Sequence, residues 1–303
     1  MPFLNLIRWK NLLMIVLIQC LIKYALFEPF GVAMALNLFS FSLLVFATVC
    51  IAAAGNVIND IYDIETDFIN KPNKIIVGKH ISETTAYNLF IILNIIGVGV
   101  GFYVSHLVGK SPFFALFVII SALLYIYATY LKRTLLIGNI IISILVALSI
   151  IIVGLFDLLP AITLQNQSTQ LLFFKILMDY AYFAFIINLI REIAKDIEDI
   201  DGDHKAGMNT LPIVIGRDRA NSVLFILSIL PLLAATWYTV NSLYKNEIAV
   251  IYFLIFIIAP LLYLSIKIFN AKKKSDYKNI SNILKLVMLF GMLSLLLYKY
   301  ALL

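Results

Sequence analysis

The sequence has too few charged residues for an ordinary soluble protein and too few cysteines for a disulfide scaffold. Charged residues make up 13% of its 303 residues, about half the share of a typical soluble domain. The two cysteines, Cys20 and Cys50, lie inside apolar segments, so we expect no disulfide framework. The three histidines, His80, His106 and His204, lack the spacing of zinc ligands. A soluble domain, a disulfide scaffold and a zinc protein are therefore all disfavoured.

Long apolar runs dominate the sequence instead. The mean hydropathy is +0.99, and several stretches approach the ~20 residues that cross a bilayer as a helix. We place nine of them, at 12–30, 35–55, 84–107, 113–131, 135–156, 171–193, 221–240, 248–268 and 282–300. No Pro/Gly/Ser-rich linker divides the chain. We therefore expect a single all-α membrane domain over 1–303, with about nine transmembrane helices around a central cavity.

Lysine and arginine are concentrated in alternate loops. They gather at the amino terminus and after the second, fourth, sixth and eighth apolar runs, whereas the other loops hold isolated cations such as Lys110 and Lys245. The positive-inside rule then places the amino terminus in the cytoplasm and the carboxyl terminus outside the cell membrane. The net charge of +6 follows this pattern and gives no reason to expect a nucleic-acid partner.

Acidic residues are scarce, yet ten of the seventeen fall in two short windows. Each window contains Asp-Ile-x-Asp-Ile-x-x-Asp, as Asp60, Asp63 and Asp67 and again as Asp196, Asp199 and Asp203. Both copies end an apolar run that the charge bias places at the cytoplasmic side. Charge beside hydrocarbon is costly and usually functional. The two copies predict a site in the cytoplasmic loops that cap the helices.

Helical spacing gives each copy an acidic face. On a continuous helix Asn59, Asp63 and Asp67 lie on one side, and Asp196 shares a stripe with Asp199 and Asp203. Such a stripe repels itself, so we expect a bound cation. Mg²⁺ prefers oxygen ligands and is commonly shared between one or two carboxylates and substrate phosphates. A pair of acidic faces therefore predicts Mg²⁺ and a phosphorylated substrate.

These motifs resemble those of the UbiA-type intramembrane prenyltransferases. Asn59-Asp60-Ile-Tyr-Asp63-Ile-Glu-Thr-Asp67 matches the family's NDxxDxxxD signature, and Asp199 to Asp203 matches its DxxxD signature. The basic segment Asn70-Lys71-Pro72-Asn73-Lys74 is similar to the loop after the first motif, although Ile75 stands where a proline is common. The resemblance covers the whole chain, including the helix count.

The resemblance implies Mg²⁺-dependent transfer of a prenyl group from an isoprenyl diphosphate to a lipid-soluble acceptor in the membrane. The implied metal ligands are Asn59, Asp60, Asp63, Asp67, Asp196, Asp199 and Asp203. The implied catalytic residues are Asp63, Asp67, Asp199, Asp203 and Lys132. The implied substrate-binding residues are Arg8, Asn11, Lys71, Lys74, Tyr127, Arg133, Arg191 and Lys195. Aromatic rings such as that of Tyr127 would shield an allylic cation from water.

The acceptor is the open part of this interpretation. The run from Arg191 to Asp203 is most similar to the branch that transfers a geranylgeranyl group to the hydroxyl of geranylgeranylglyceryl phosphate, in ether-lipid synthesis. A second hypothesis keeps the enzyme but makes 4-hydroxybenzoate or another quinone precursor the acceptor. A third is a cation transporter, which would instead place its acids near the bilayer midplane on broken helices.

Overall fold

The computed structural model describes residues 1–301, without the side chains of Lys74, Tyr300 and Ala301. In this part of the chain nine helices have the length and hydropathy to cross a membrane. They are α1 (Trp9–Phe30), α2 (Leu38–Tyr62), α3 (Glu83–Leu107), α4 (Ser111–Thr129), α5 (Ile137–Ala161), α6 (Gln167–Lys205), α7 (Arg217–Leu243), α8 (Glu247–Phe269) and α9 (Lys274–Leu297). The predicted all-α architecture and helix count are confirmed.

Capping residues and glycines define where these helices begin and end. Asn37 accepts a hydrogen bond from the Ser40 amide at 2.9 Å at the start of α2, and Ser82 caps α3 through the Thr85 amide at 3.1 Å. These side chains satisfy amides that have no partner inside the helix. After α1, Gly31 adopts a φ of +62°, a left-handed conformation that glycine tolerates without strain.

The segments after α2, α4, α6 and α8 meet at one end of the bundle. The Asn209 amide bonds to the Arg133 carbonyl at 2.9 Å, which joins the segments after α6 and α4. The first residue of α9, Lys274, donates to the Asn70 carbonyl at 3.2 Å. We call this the motif end, because both aspartate motifs, Asp60–Asp67 and Asp196–Asp203, lie there. The motifs are brought together by the alternating course of the helices.

The opposite end is held by a buried ion pair that the sequence did not reveal. Lys23 of α1 donates to Asp157 of α5 at 2.7 Å and to the Leu36 carbonyl at 2.8 Å. The other carboxylate oxygen of Asp157 accepts from the Leu36 amide at 2.8 Å. Both charged side chains are buried, with 3% and 0% of their residue surface exposed. This network joins α1, α5 and the segment between α1 and α2.

The 39-residue helix α6 lies at the centre and contacts α5, α7 and α9. One apolar cluster packs α1, α2, α5 and α6 together with residues of α3, α4 and α9, and a second packs α6 through α9. Close approach of α2 and α3 depends on Gly97, because a β-carbon there would meet Ile51 at 2.6 Å. Both apolar clusters therefore pack against α6, and the second motif lies near the carboxyl end of this helix.

Candidate active site

The first motif does not lie on one continuous helix, so the predicted continuity was wrong, although Asn59, Asp63 and Asp67 still line one cavity. Helix α2 ends at Tyr62, Asp63 adopts a non-helical conformation, and a short helix, Ile64–Asn70, follows. The Asp63 side chain accepts from the Asn59 amide group at 2.5 Å across this joint. The short helix, which carries the end of the motif, packs against α6. By contrast, the second motif lies within α6 without interruption.

Both motifs face one polar cavity of about 810 Å³ at the motif end. Most of the residues predicted from the sequence line it. They are Arg8, Asn59, Asp60, Asp63, Asp67, Lys71, Tyr127, Lys132, Lys195, Asp196, Asp199 and Asp203. The side chain of Lys74 lies outside the described residues. Arg133 is exposed and is not among the lining residues of this cavity or its neighbour.

A second cavity, of about 230 Å³ and largely apolar, adjoins the first. The two share Arg8, Asn59, Tyr127, Glu192 and Lys195, and the second extends between α2, α4 and α5 past Ile51 and Leu145 to Ile152. Of the predicted residues, Asn11 and Arg191 line only this second cavity. A charged head group and an apolar tail could therefore lie in adjacent spaces.

Cations neutralise three of the six motif carboxylates. Arg8 contacts Asp60 at 2.7 Å and Lys132 contacts Asp63 at 2.5 Å. Lys71 pairs with Asp199. No group of three or more acidic, histidine or cysteine side chains converges as a ready metal cage within residues 1–301. Asp60, Asp63 and Asp199 therefore each have a cation at the cavity wall, whereas Asp67 and Asp203 form no ion pair with any described residue.

Two asparagines that were not predicted as site residues support the motifs from behind or beside the cavity. Asn139 of α5 donates to Asp196 at 2.7 Å. Asn70 donates to the Asp199 carbonyl at 2.8 Å and accepts from the Gly202 amide at 3.1 Å, which holds the segment after the first motif against α6. A β-carbon at Gly202 would lie 2.3 Å from the Asn70 side chain. The only sequence signals for these roles were polar residues beside apolar runs.

Electrostatics at the first motif favour binding of a cation. Burial, together with the neighbouring charge of Asp63, raises the pKa of Asp67 to about 6. Burial also acts to lower the pKa of Lys71, but the charge of Asp199 outweighs it, so the pKa of Lys71 lies above its ordinary value. The ionised form of Asp67 is thus unfavourable in this environment, and a cation bound nearby would stabilise it.

Two buried oxygen atoms provide a test of whether the site suits a metal ion. Asn59 Oδ1 and Asp199 Oδ1 face no hydrogen-bond donor anywhere in the described part of the chain. Buried oxygens of this kind are rare without a ligand or water. The donor set of carboxylate and amide oxygens is the one that Mg²⁺ prefers. The residues present therefore fit a divalent cation of this type.

Fold and site together define an intramembrane protein with an acidic cavity at one end of a helical bundle. Residues 17–298 match the model of the UbiA prenyltransferase family. The chain belongs to this family of prenyltransferases, and it is a multi-pass membrane protein. The resemblance inferred from the two motifs is confirmed.

The chain is similar over nearly its whole length to individual members of this family. The chain is 32% identical to the digeranylgeranylglyceryl phosphate synthase of Methanosphaera stadtmanae over 299 residues, covering 97% of each protein. A solved structure of a digeranylgeranylglyceryl phosphate synthase aligns with a TM-score of 0.64 at 24% identity, covering 98% of this chain and 97% of the other. A UbiA homologue from Archaeoglobus fulgidus, solved with GPP and Mg²⁺, aligns with a TM-score of 0.56 at 17% identity, covering 97% and 99%. These two structures have the same fold.

Proposed function

We propose that this chain transfers a geranylgeranyl group from its diphosphate to the hydroxyl of geranylgeranylglyceryl phosphate, and releases diphosphate. The observation that carries the proposal is the polar cavity, which faces both aspartate motifs and continues into an apolar cavity. The similarity to the Methanosphaera stadtmanae synthase over 97% of the chain supports the choice of acceptor. The product would be an ether lipid.

Mg²⁺ is the cofactor that the site fits. Its ligands would come from the oxygens of Asn59, Asp60, Asp63, Asp67, Asp196, Asp199 and Asp203, which all line the polar cavity. When bound, Mg²⁺ neutralises charge on the oxygens of a departing diphosphate. The Archaeoglobus fulgidus homologue with the same fold was solved with both GPP and Mg²⁺.

The protein's own side chains would bind the diphosphate and exclude water. Lys132, with 8% of its side chain exposed, and Lys71 lie at the cavity wall within reach of an anionic head group. Their positive charge would stabilise the diphosphate as the allylic C–O bond breaks. The oxygen of the acceptor hydroxyl would form the new ether bond, and the released diphosphate would accept the proton that this hydroxyl loses. Tyr127, which lines both cavities, would shield the allylic carbon from water.

The same proposal includes an orientation and a domain assignment. The motif end would face the cytoplasm, with the amino terminus inside and the carboxyl terminus outside, because the basic loops after α2, α4, α6 and α8 lie at that end. Residues 1–303 would form one domain, since the two apolar clusters both include α6 residues.

The test uses purified protein in lipid nanodiscs with Mg²⁺ and labelled geranylgeranyl diphosphate. Geranylgeranylglyceryl phosphate and 4-hydroxybenzoate are offered separately. We expect transfer to the glyceryl phosphate, and chelation of Mg²⁺ should stop it. Transfer only to the aromatic ring would refute the proposed acceptor. Absence of diphosphate release with either acceptor would refute the proposed reaction.

Substitutions in the motifs test the site itself. Asp63→Asn and Asp199→Asn should each reduce turnover about a hundredfold or more, because each removes charge that positions the leaving group. Asp201→Asn is the matched control, since Asp201 lies in the same run but has 70% of its side chain exposed. Thermal unfolding of all three variants checks that they are folded. Equal activity in all three variants would refute the assignment of the motifs.

A further inference from the structure

A second group of cations lies beside the aspartate motifs, on the apolar side of the site. Arg191 and Lys195 are about one turn apart on α6 and share one carboxylate. Arg191 Nη1 lies 3.1 Å from Glu192 Oε1, and Lys195 Nζ lies 2.9 Å from Glu192 Oε2. All three residues line the apolar cavity, together with Arg8 at the start of α1.

Lys285 of α9 adds a further charge to this group. It precedes Leu289 and Met292 by one and two turns, and both of those residues pack into the apolar cluster that contains α1. Residues spaced in this way share a helix face, so Lys285 lies on the side of α9 that faces this cluster. The like charges of Arg191, Lys195 and Arg8 and the opposite charge of Glu192 all act on it. Lys285 is exposed and makes no ion pair with any described residue.

This group has a surplus of positive charge. Arg8 is neutralised by Asp60, so Arg191, Lys195 and Lys285 have only Glu192 between them, a surplus of two charges. A phosphate monoester carries roughly −1.5 to −2 at neutral pH. The buried Nε of Arg191 also has no acceptor within the described residues, and a buried donor of this kind calls for a partner. Charge and hydrogen bonding both match a phosphate.

We propose that Arg191, Lys195 and Lys285 bind the phosphate of the acceptor, separately from the diphosphate site at the two motifs. This assignment rests on the proposed function and names the group by which the acceptor is recognised. The carboxylates of the motifs would repel a phosphate that arrived without metal ions, whereas the cluster on α6 and α9 attracts one. Its place beside the apolar cavity suits a phosphate carried on a lipid chain.

The test compares Lys285→Gln with Lys278→Gln, a change at an exposed lysine two turns earlier on α9. Steady-state kinetics are measured in nanodiscs of zwitterionic phosphatidylcholine, with geranylgeranylglyceryl phosphate or the unphosphorylated geranylgeranylglycerol as acceptor. We expect Lys285→Gln to raise KM for the phosphorylated acceptor about tenfold, the effect of losing one charge-assisted hydrogen bond. The values of kcat and of KM for geranylgeranyl diphosphate should stay within about twofold.

Lys285→Arg should restore most of the affinity, because it keeps the charge, and Lys278→Gln should change nothing. An equal effect on both acceptors, or a higher KM for geranylgeranyl diphosphate, would overturn the proposal. An effect seen only when anionic phosphatidylglycerol is added would assign Lys285 to bulk lipid and would also overturn it.

The phosphate site can be tested even if the proposed reaction is not observed. If the wild-type protein transfers nothing to geranylgeranylglyceryl phosphate, binding of that lipid is measured directly by tryptophan fluorescence in a Trp237→Phe background, where the signal comes from Trp9, which adjoins Arg8 in the chain. Binding that weakens in Lys285→Gln, but not in Lys278→Gln, would support the phosphate site without the reaction. Equal binding by both variants would refute it.

Discussion

The buried pair Lys23–Asp157 predicts a large loss of stability when one partner is removed. Lys23→Met leaves the Asp157 carboxylate with only the Leu36 amide, although 0% of its residue surface is exposed. Removing one partner of a buried ion pair costs about 3–5 kcal/mol, because the remaining charge is uncompensated. With unfolding entropy scaled to 303 residues, each kcal/mol corresponds to about 1.5 °C, so we expect the Tm to fall by roughly 5–8 °C.

A double variant separates the ion pair from the packing around it. Lys23→Met combined with Asp157→Asn removes both charges and keeps an oxygen for the Leu36 amide. Its loss of stability should be smaller than the sum of the two single losses by about 1–3 kcal/mol. The assay is thermal unfolding in detergent at a fixed scan rate, followed by circular dichroism at 222 nm.

Asp201→Asn is the control for this series, because its ion pair with Arg217 is long, at 3.9 Å, and exposed. Exposed pairs contribute about 0–1 kcal/mol, so its Tm should hardly change. If Lys23→Met unfolds within about 1 °C of Asp201→Asn, or if the single losses simply add in the double variant, the reasoning about the buried pair is refuted.

Two further substitutions test the surroundings of the polar cavity. Gly202→Ala places a β-carbon 2.3 Å from the Asn70 side chain. It should reduce turnover at least about tenfold, because it displaces the segment after the first motif. Gly99→Ala is the control: it has open space around it and should leave turnover unchanged. Asn139→Leu removes the 2.7 Å hydrogen bond to Asp196 and should raise the Mg²⁺ concentration needed for half-maximal rate about tenfold; an unchanged Mg²⁺ requirement in a folded variant would contradict that role.

The helices and the end at which the motifs lie could be predicted because both depend on local properties of the chain. Spans of about twenty apolar residues are long enough to cross a bilayer whatever they pack against. Aspartates at the ends of two such spans can be recognised without knowledge of any tertiary contact. The break at Asp63 was not predictable in this way, since the spacing of Asn59, Asp63 and Asp67 suits a continuous helix equally well.

The partners of the charged groups could not be predicted. Arg8 pairs with Asp60, 52 positions away, and Lys71 pairs with Asp199, 128 positions away. These choices depend on how far each helix is rotated about its axis. A helix that is apolar on every side gives little indication of which face is buried. The placement of Lys71 and Lys132 on carboxylates, and the exposure of Arg133, therefore emerge only from the folded chain.

The sequence by itself determined the class of protein and the chemical character of its site. Two acidic motifs at the ends of apolar spans are properties of chain order, and they carry the resemblance to the prenyltransferase family. Only the tertiary structure decided how the site is built. It supplied Asn139 beside Asp196 and the buried Lys23–Asp157 pair, because each of these contacts depends on helix packing between residues far apart in the chain.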